Sequence, residues 1–338
     1  MKRASVRALM LGMSLMACGS SASAETVDTV AARHGFAGEI LVGRGSGRNA
    51  TLLVDRGFGT VTPGGSVAHT AGQRWRIASI SKQVTAALLV ARAPSALDQP
   101  VAIPGRRVTR ALPTLRALLT QHTDLANPDD TPAAATQMPA FYRDPRPNLA
   151  YCLQRPTTPA TAALPFRYNN CDTIVAASAG PPLRWPAGLA MARPGERGVP
   201  GFIGGKPEPV FELGSFGAAG GLVGTARALW AFDQALMDGR IGSPAVRDVL
   251  WTPEGQGSYQ GLGAWIFTAP LAGCAKPVRI VQRDGEIAGV QTRNFILPDQ
   301  RLTVIAFTNR SADDFSFGEV WQQSGFAYAL LSAAACTG

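Results

Sequence analysis

Ser79 and Lys82 are the two side chains whose types and spacing most directly permit chemistry. They stand in Ser79-Ile80-Ser81-Lys82, inside an apolar stretch at 75–90 with few helix breakers. Positions i and i+3 share one face of a helix, so the Lys82 ammonium can reach the Ser79 hydroxyl. Serine is a weak nucleophile until a neighbour takes its proton, and a lysine whose charge is disfavoured by burial or nearby cations can do that. Lysine is scarce in this chain, with only Lys2, Lys82, Lys206 and Lys276, which makes a chance Ser-x-x-Lys less frequent than usual. Ser81 lacks the i, i+3 relation and reads as a bystander. His34, His69 and His122 are far apart and show no metal-ligand spacing with cysteine, so no metal site is expected. His122 reads as structural.

A helix beginning at Ser79 needs a scaffold, and the pattern supplies one. A short helix is expected at 25–35, closed by Gly35, then strands at 39–43 and 51–55 joined by the glycine-rich turn 43–47. With no helix behind it, that turn reads as a hairpin and not as a phosphate cradle. A third strand leads to Trp75. Another helix is expected at 112–120, and the clearest amphipathic one runs from Thr225 (N-cap) to Asp238, with Gly239 beyond its end. Strands follow at 261–268, 278–283, 290–297 and 302–308, and a terminal helix at 317–335. Proline-rich stretches at 127–165 and 181–210 read as functional walls or lids. The fold class is therefore α+β: an antiparallel sheet built from both chain ends and flanked by terminal helices, with a mostly helical lobe inserted. The lobes would divide at about 25–78 plus 255–338 for the sheet and about 79–254 for the helices.

The front end reads as an export signal at 1–24: Lys2, Arg3 and Arg7, a short apolar run at 8–17, and Ala22-Ser23-Ala24 before Glu25. A lipobox-like Leu15-Met16-Ala17-Cys18 offers a rival, a lipid anchor at Cys18, but Met16 fits that pattern poorly and simple secretion is favoured. Either way a periplasmic or secreted protein is expected. No segment approaches the ~20 apolar residues of a transmembrane helix. Cleavage takes three cations and no anions from a formal net charge of +9, leaving +6. The remaining arginines are scattered, which argues against nucleic acid as a partner. Four cysteines remain, Cys152, Cys171, Cys274 and Cys336; an even count in an oxidising compartment implies two disulfides. Of three possible pairings, sequence proximity favours Cys152–Cys171 and Cys274–Cys336.

Several segments converge on one family. Ser79-x-x-Lys82 is the first element of serine β-lactamases and penicillin-binding proteins. Tyr168-Asn169-Asn170 resembles the Tyr-x-Asn element of the class C branch. Arg283-Asp284-Gly285, followed by Gly289, stands where that branch carries Lys-Thr-Gly or His-x-Gly. Flanking text agrees: 118–125 resembles the family's LLTHTSGL segment, 220–226 its GGLVSTA segment and 96–101 its LDDPV segment. The resemblance to the serine β-lactamase/DD-peptidase-like family, class C-related, runs from about residue 37 to the C-terminus.

That resemblance implies roles. Ser79, at a helix start, would attack a carbonyl, with Lys82 or Tyr168 as the base for acylation and Tyr168 activating the deacylating water. A tyrosine does this only if cations lower its pKa, and Lys82 and Arg283 are the candidates. Asn170 would hydrogen-bond Lys82 and substrate. Backbone N–H groups of Ser79 and of Glu286, just after Gly285 on the edge strand, would hold the oxyanion. Arg283 keeps a cation but cannot act as acid or base, so carboxylate binding or electrostatics is its expected part. Asp284 would place a negative charge near a β-lactam carboxylate, which favours an esterase or peptidase over an efficient β-lactamase. No cofactor is called for. The expected substrate is a small molecule or peptide, with cell-wall peptide as one candidate. A degenerate member that only binds such peptides is the competing reading. A His-dependent hydrolase is disfavoured because no Gly-x-Ser-x-Gly occurs.

Overall fold

Gly38-Glu39-Ile40-Leu41-Val42 is buried on both faces, so this strand must lie inside a sheet covered on each side. The computed structural model describes residues 25–105, 112–133, 138–154, 164–255 and 257–336. The expected signal segment and Cys18 lie outside them. In chain order the elements are α1 (Val27–Arg33), β1 (Gly38–Arg44), β2 (Thr51–Phe58), β3 (Trp75–Arg76), α2 (Ile80–Arg92), α3 (Leu115–Thr120), α4 (Leu149–Cys152) and α5 (Asn170–Ser178). Then come β4 (Ala190–Met191), β5 (Phe202–Ile203), β6 (Lys206–Pro207), α6 (Gly217–Gly220), β7 (Leu222–Gly224), α7 (Ala226–Met237) and α8 (Pro244–Leu250). The chain closes with β8 (Trp265–Ala269), β9 (Val278–Ile287), β10 (Val290–Leu297), β11 (Leu302–Thr308) and α9 (Gly325–Ala335).

Six strands form one antiparallel sheet in the order β2-β1-β11-β10-β9-β8. The two chain ends meet where β1 pairs with β11. Strand alternation sorts the core into two clusters. Ile40, Val42, Ile280, Phe295 and Val304 pack with Val30 of α1 and Phe326 and Leu330 of α9. Leu41, Val281, Ile296, Ile305 and Phe307 face the other way, onto Val84 of α2 and Leu229 and Phe232 of α7. The result is the β-lactamase/transpeptidase-like α+β arrangement, a sheet between terminal helices and the central helices.

Local differences from the sequence reading have physical causes. The strand leading to Trp75 joins β7 and β4 in a separate three-stranded sheet, and Ile77 N still donates to Leu222 O of β7 before the chain enters α2. The terminal helix starts only at Gly325, because the chain before it forms a short 3-10 turn at Val320–Gln322 that ends on Gln323 at φ 54°, outside the right-handed helical region. The helix at 225–238 is as expected, with Thr225 Oγ1 accepting from Ala228 N at 3.1 Å and Gly239 at φ 69°. The short β7 and α8 escaped the sequence reading. Both expected disulfides form, Cys152–Cys171 tying α4 to α5 and Cys274–Cys336 tying the β8–β9 connection to the end of α9.

Candidate active site

Ser79 is presented by a bent approach. Ile77 N donates to Leu222 O at 3.0 Å, and the buried Ala78 takes φ 47°, a left-handed conformation that costs a residue with a Cβ. The chain then turns straight into α2 with Ser79 at its N-cap. Ser79 Oγ caps no helix N–H, so it is free for other partners. One turn on, Lys82 Nζ donates to Ser79 Oγ at 3.1 Å, Tyr168 Oη at 2.8 Å, Asn170 Oδ1 at 2.6 Å and Ala219 O at 2.9 Å. Ser79 Oγ and Tyr168 Oη are 2.5 Å apart. Ser81 is buried and its Oγ accepts from Leu222 N at 3.3 Å, a structural contact.

The proline-rich wall positions the other two groups. Asn127 Nδ2 donates to Tyr168 O at 3.3 Å, Tyr151 Oη donates to Asn127 O at 2.9 Å, and Arg167 N donates to Gln121 O at 2.9 Å. Asn169 caps α5 by accepting from Cys171 N at 2.9 Å, which starts the helix so that Asn170 points at Lys82. The Cys152–Cys171 bridge fastens this helix start to the wall.

Arg283 completes the electrostatics from the sheet. Only 1% exposed, it donates from Nε to Ser79 O at 3.2 Å, and its guanidinium lies 5.6 Å from the Tyr168 ring centre and 5.2 Å from that of Trp265. Burial alone would raise the Tyr168 phenol, but Lys82 and then Arg283 outweigh it and hold the phenol below its ordinary value. Burial likewise lowers Lys82; the Tyr168 phenolate opposes that shift and Arg283 adds to it. Both groups are thus drawn toward the range in which a proton can be passed at neutral pH.

The sheet also corrects two expectations. β9 is not the edge strand. β8 covers it over Val278–Gln282, and only Arg283–Ile287 run past the paired end at Trp265. Alternation along that stretch turns Arg283 and Gly285 toward α2 and Asp284 to the opposite face. There Asp284 pairs with Arg293 at 3.1 Å and accepts from Gln282 Nε2 at 2.9 Å, so its charge is spent away from Ser79. Gly285 is required where it stands: a Cβ would lie 2.8 Å from Ser79 N and from Ile77 O and 2.4 Å from Thr292 Oγ1. Glu286 follows it, paired with Gln291 of β10 on one side and left uncovered by β8 on the other.

Sequence reasoning missed Tyr142, whose Oη accepts from Asn170 Nδ2 at 2.9 Å, and Asp129, which accepts from Tyr142 Oη at 2.5 Å. It also missed Trp265 and the buried ion pair Arg76–Glu208, which ties β3 to the β9–β10 turn through Glu208 and Gly289 N at 3.0 Å. The polar residues in the proline-rich wall were the only available signal. His122 stays peripheral, bonding Thr120 at 3.1 Å. Among the described residues no group of three or more His, Cys, Asp or Glu side chains could hold a metal ion, and no helix is long and apolar enough to cross a membrane.

The fold that carries this Ser-Lys-Tyr-Asn cluster is of the β-lactamase/transpeptidase type. The Beta-lactamase family model matches residues 46–192. Among solved structures, the D-amino acid amidase from Ochrobactrum anthropi SV3 complexed with D-phenylalanine is similar at TM-score 0.64 and 18% identity, over 91% of this chain and 95% of that one. The penicillin binding protein from Bacillus halodurans is similar at TM-score 0.62 and 18% identity, over 91% and 98%. The D-stereospecific amidohydrolase from Streptomyces sp. gives TM-score 0.60 and 17% identity, over 91% and 96%. No curated protein matches. The likeness to these structures, together with the family-model match over 46–192, shows the β-lactamase/transpeptidase-like fold.

Proposed function

We propose that the protein is an exported serine acyl-hydrolase that cleaves an amide or ester through an acyl-enzyme on Ser79. The observation that carries this is the buried Lys82 nitrogen within hydrogen-bond reach of both Ser79 Oγ and Tyr168 Oη, 3.1 and 2.8 Å away. Lys82 or Tyr168 takes the Ser79 proton as its oxygen attacks, and Tyr168 activates the water that releases the acyl group. The backbone N–H groups of Ser79 and Glu286 stabilise the oxyanion, a contribution of about 3–4 kcal/mol per donor in related chemistry. Export is supported by the leader-like front end and by two disulfides, which persist in oxidising compartments.

A small D-amino-acid amide or ester is favoured over a β-lactam, and the reason lies in Arg283 and not in Asp284. The guanidinium is enclosed between Tyr168 and Trp265 and offers no exposed cation to a β-lactam carboxylate. The similar amidase was solved with D-phenylalanine.

The test is labelling with a fluorophosphonate probe and a fluorescent penicillin, with the adduct mapped, alongside turnover of D-phenylalanine amide and p-nitrophenyl acetate. An adduct on Ser79, lost in Ser79→Ala and retained in Ser81→Ala, is the expected result. Turnover should fall on the order of 10⁶-fold in Ser79→Ala if the residues act as a unit. A folded protein that takes no acylating probe and turns over neither substrate would instead be a peptide-binding member without activity.

A further inference from the structure

Asn170 stands between two partners of opposite hydrogen-bonding character. Its Oδ1 accepts from Lys82 Nζ at 2.6 Å and its Nδ2 donates to Tyr142 Oη at 2.9 Å. The Tyr142 hydroxyl donates in turn to Asp129 Oδ1 at 2.5 Å. A carboxylate accepts and cannot donate, so Asp129 takes the single phenolic hydrogen and leaves the Tyr142 oxygen as an acceptor. The amide of Asn170 then has one orientation that satisfies both sides: NH₂ to Tyr142, carbonyl to Lys82.

The consequence reaches the nucleophile. A lysine nitrogen has four tetrahedral positions, one taken by its carbon. Asn170 Oδ1 holds one of the other three and Ala219 O, 2.9 Å away, holds a second. The third points between Tyr168 Oη and Ser79 Oγ. In charged Lys82 it carries the exchangeable proton; in neutral Lys82 it carries the lone pair. Were the Asn170 amide inverted, its NH₂ would oppose Lys82 and the nitrogen would lose this fixed orientation.

The two remote residues are built to hold that direction. Tyr142 is 2% exposed and stacks on Phe216 with ring centres 3.9 Å apart and planes 4° from parallel. Burial, then the Asp129 charge, pushes the Tyr142 phenol far up, so it stays a neutral donor. Asp129 sits in the 3-10 turn Pro128–Asp130, capped by Asn127, whose Oδ1 accepts from Asp129 N at 3.3 Å. The same Asn127 grips the Tyr168 backbone, so one turn orients both arms of the site.

We propose that Tyr142 and Asp129 are positioning residues that set the hydrogen-bond polarity of the Lys82 centre, keeping its proton-exchanging position on Ser79 and Tyr168. The inference rests on the Ser79 nucleophile reading. The charged and titratable groups facing Lys82 are Tyr168 ahead of α5, Arg283 on β9, Asp129 on its turn and Asp172 on α5.

The experiment measures the rate of Ser79 labelling by a fluorophosphonate against pH, in the full chain. Tyr142→Phe should lower the plateau rate about tenfold or more, because misplacement near the reacting groups is costly. Asp129→Leu should match it, since the freed Tyr142 hydroxyl can then donate to Asn170 and invert the amide. Asp129→Asn keeps an accepting oxygen and should stay within about threefold. In both Asp129 variants the acid limb should move to lower pH, because the lost carboxylate supported the Lys82 ammonium. The double variant of Tyr142→Phe with Asp129→Leu should be no slower than either single, as for residues acting in series. A merely structural role would not separate Asn from Leu at position 129. Should Tyr142→Phe fail to fold, the exposed Asp129 pair still decides. A labelled wild type with Asp129→Leu unchanged, or with Asp129→Asn equally slow, overturns this inference alone. A wild type that takes no label at Ser79 removes the nucleophile reading and this inference with it.

Discussion

Replacing Arg283 by methionine should move the acid limb of Ser79 acylation to higher pH. The guanidinium stands 5.6 Å from the centre of the Tyr168 ring, on the buried side of the site. The cation stabilises the phenolate and holds the phenol down, and an opposite charge this near typically moves a pKa by about 1–3 units, which sets the scale of the expected limb shift. Arg283 also disfavours the Lys82 ammonium, so its removal raises Lys82 as well as Tyr168. The two groups titrate as a coupled pair, and both contributions carry the observed limb the same way. Methionine fills the space between Tyr168 and Trp265 without charge, while Arg283→Lys restores the cation and should return the limb to within about half a unit. The assay is the second-order labelling rate from about pH 5 to pH 10, with melting temperature as the folding control. Because the charge is buried, the shift should persist at high salt, where surface effects are screened. A methionine variant that is labelled with an unmoved limb would refute the assignment of Arg283 as the cation that tunes Tyr168.

Other expectations concern the frame of the site. Gly285→Ala should slow labelling on the order of 10²-fold with KM-independent loss of rate, since its methyl would press on Ser79 N and Ile77 O, both 2.8 Å from the ideal Cβ; labelling at the wild-type rate would show that the β9 stretch does not shape the nucleophile. Reducing Cys152–Cys171, which closes 19 residues, should cost about 3 kcal/mol of stability by chain entropy, and Cys274–Cys336, which closes 62, about 4 kcal/mol. Denaturant midpoints of the paired cysteine-to-alanine variants check the values, and only the first pair should also slow acylation, because it anchors the start of α5 beside Asn170.

Much of the frame was legible because it repeats a local signal. The β10 and β11 segments, the Thr225 N-cap with its amphipathic helix, and the i, i+3 relation of Ser79 and Lys82 each follow from the residues within one turn or one strand. Boundaries slipped where the backbone took an uncommon conformation, as at Gln323 before α9. The reading of Asp284 failed for a different reason. Sequence neighbourhood placed it with Arg283, whereas strand alternation sends neighbours to opposite faces and gives Asp284 to Arg293.

Composition and spacing alone thus determined the class of fold, the presence of a Ser-x-x-Lys pair at a helix start and the order in which Tyr168, Asn170 and Arg283 follow it. Short-range periodicity encodes these features, and they survive without knowing what packs against them. Only the tertiary structure decided what surrounds Lys82. Its four hydrogen-bond acceptors come from the N-cap of α2, the segment before α5, α5 itself and α6, and the Asn170–Tyr142–Asp129 line reaches it across sequence separations of 13 to 41. Proton position depends on distances of a few tenths of an ångström between such groups. No local pattern records those distances, because they are set by the packing of the whole core around the sheet.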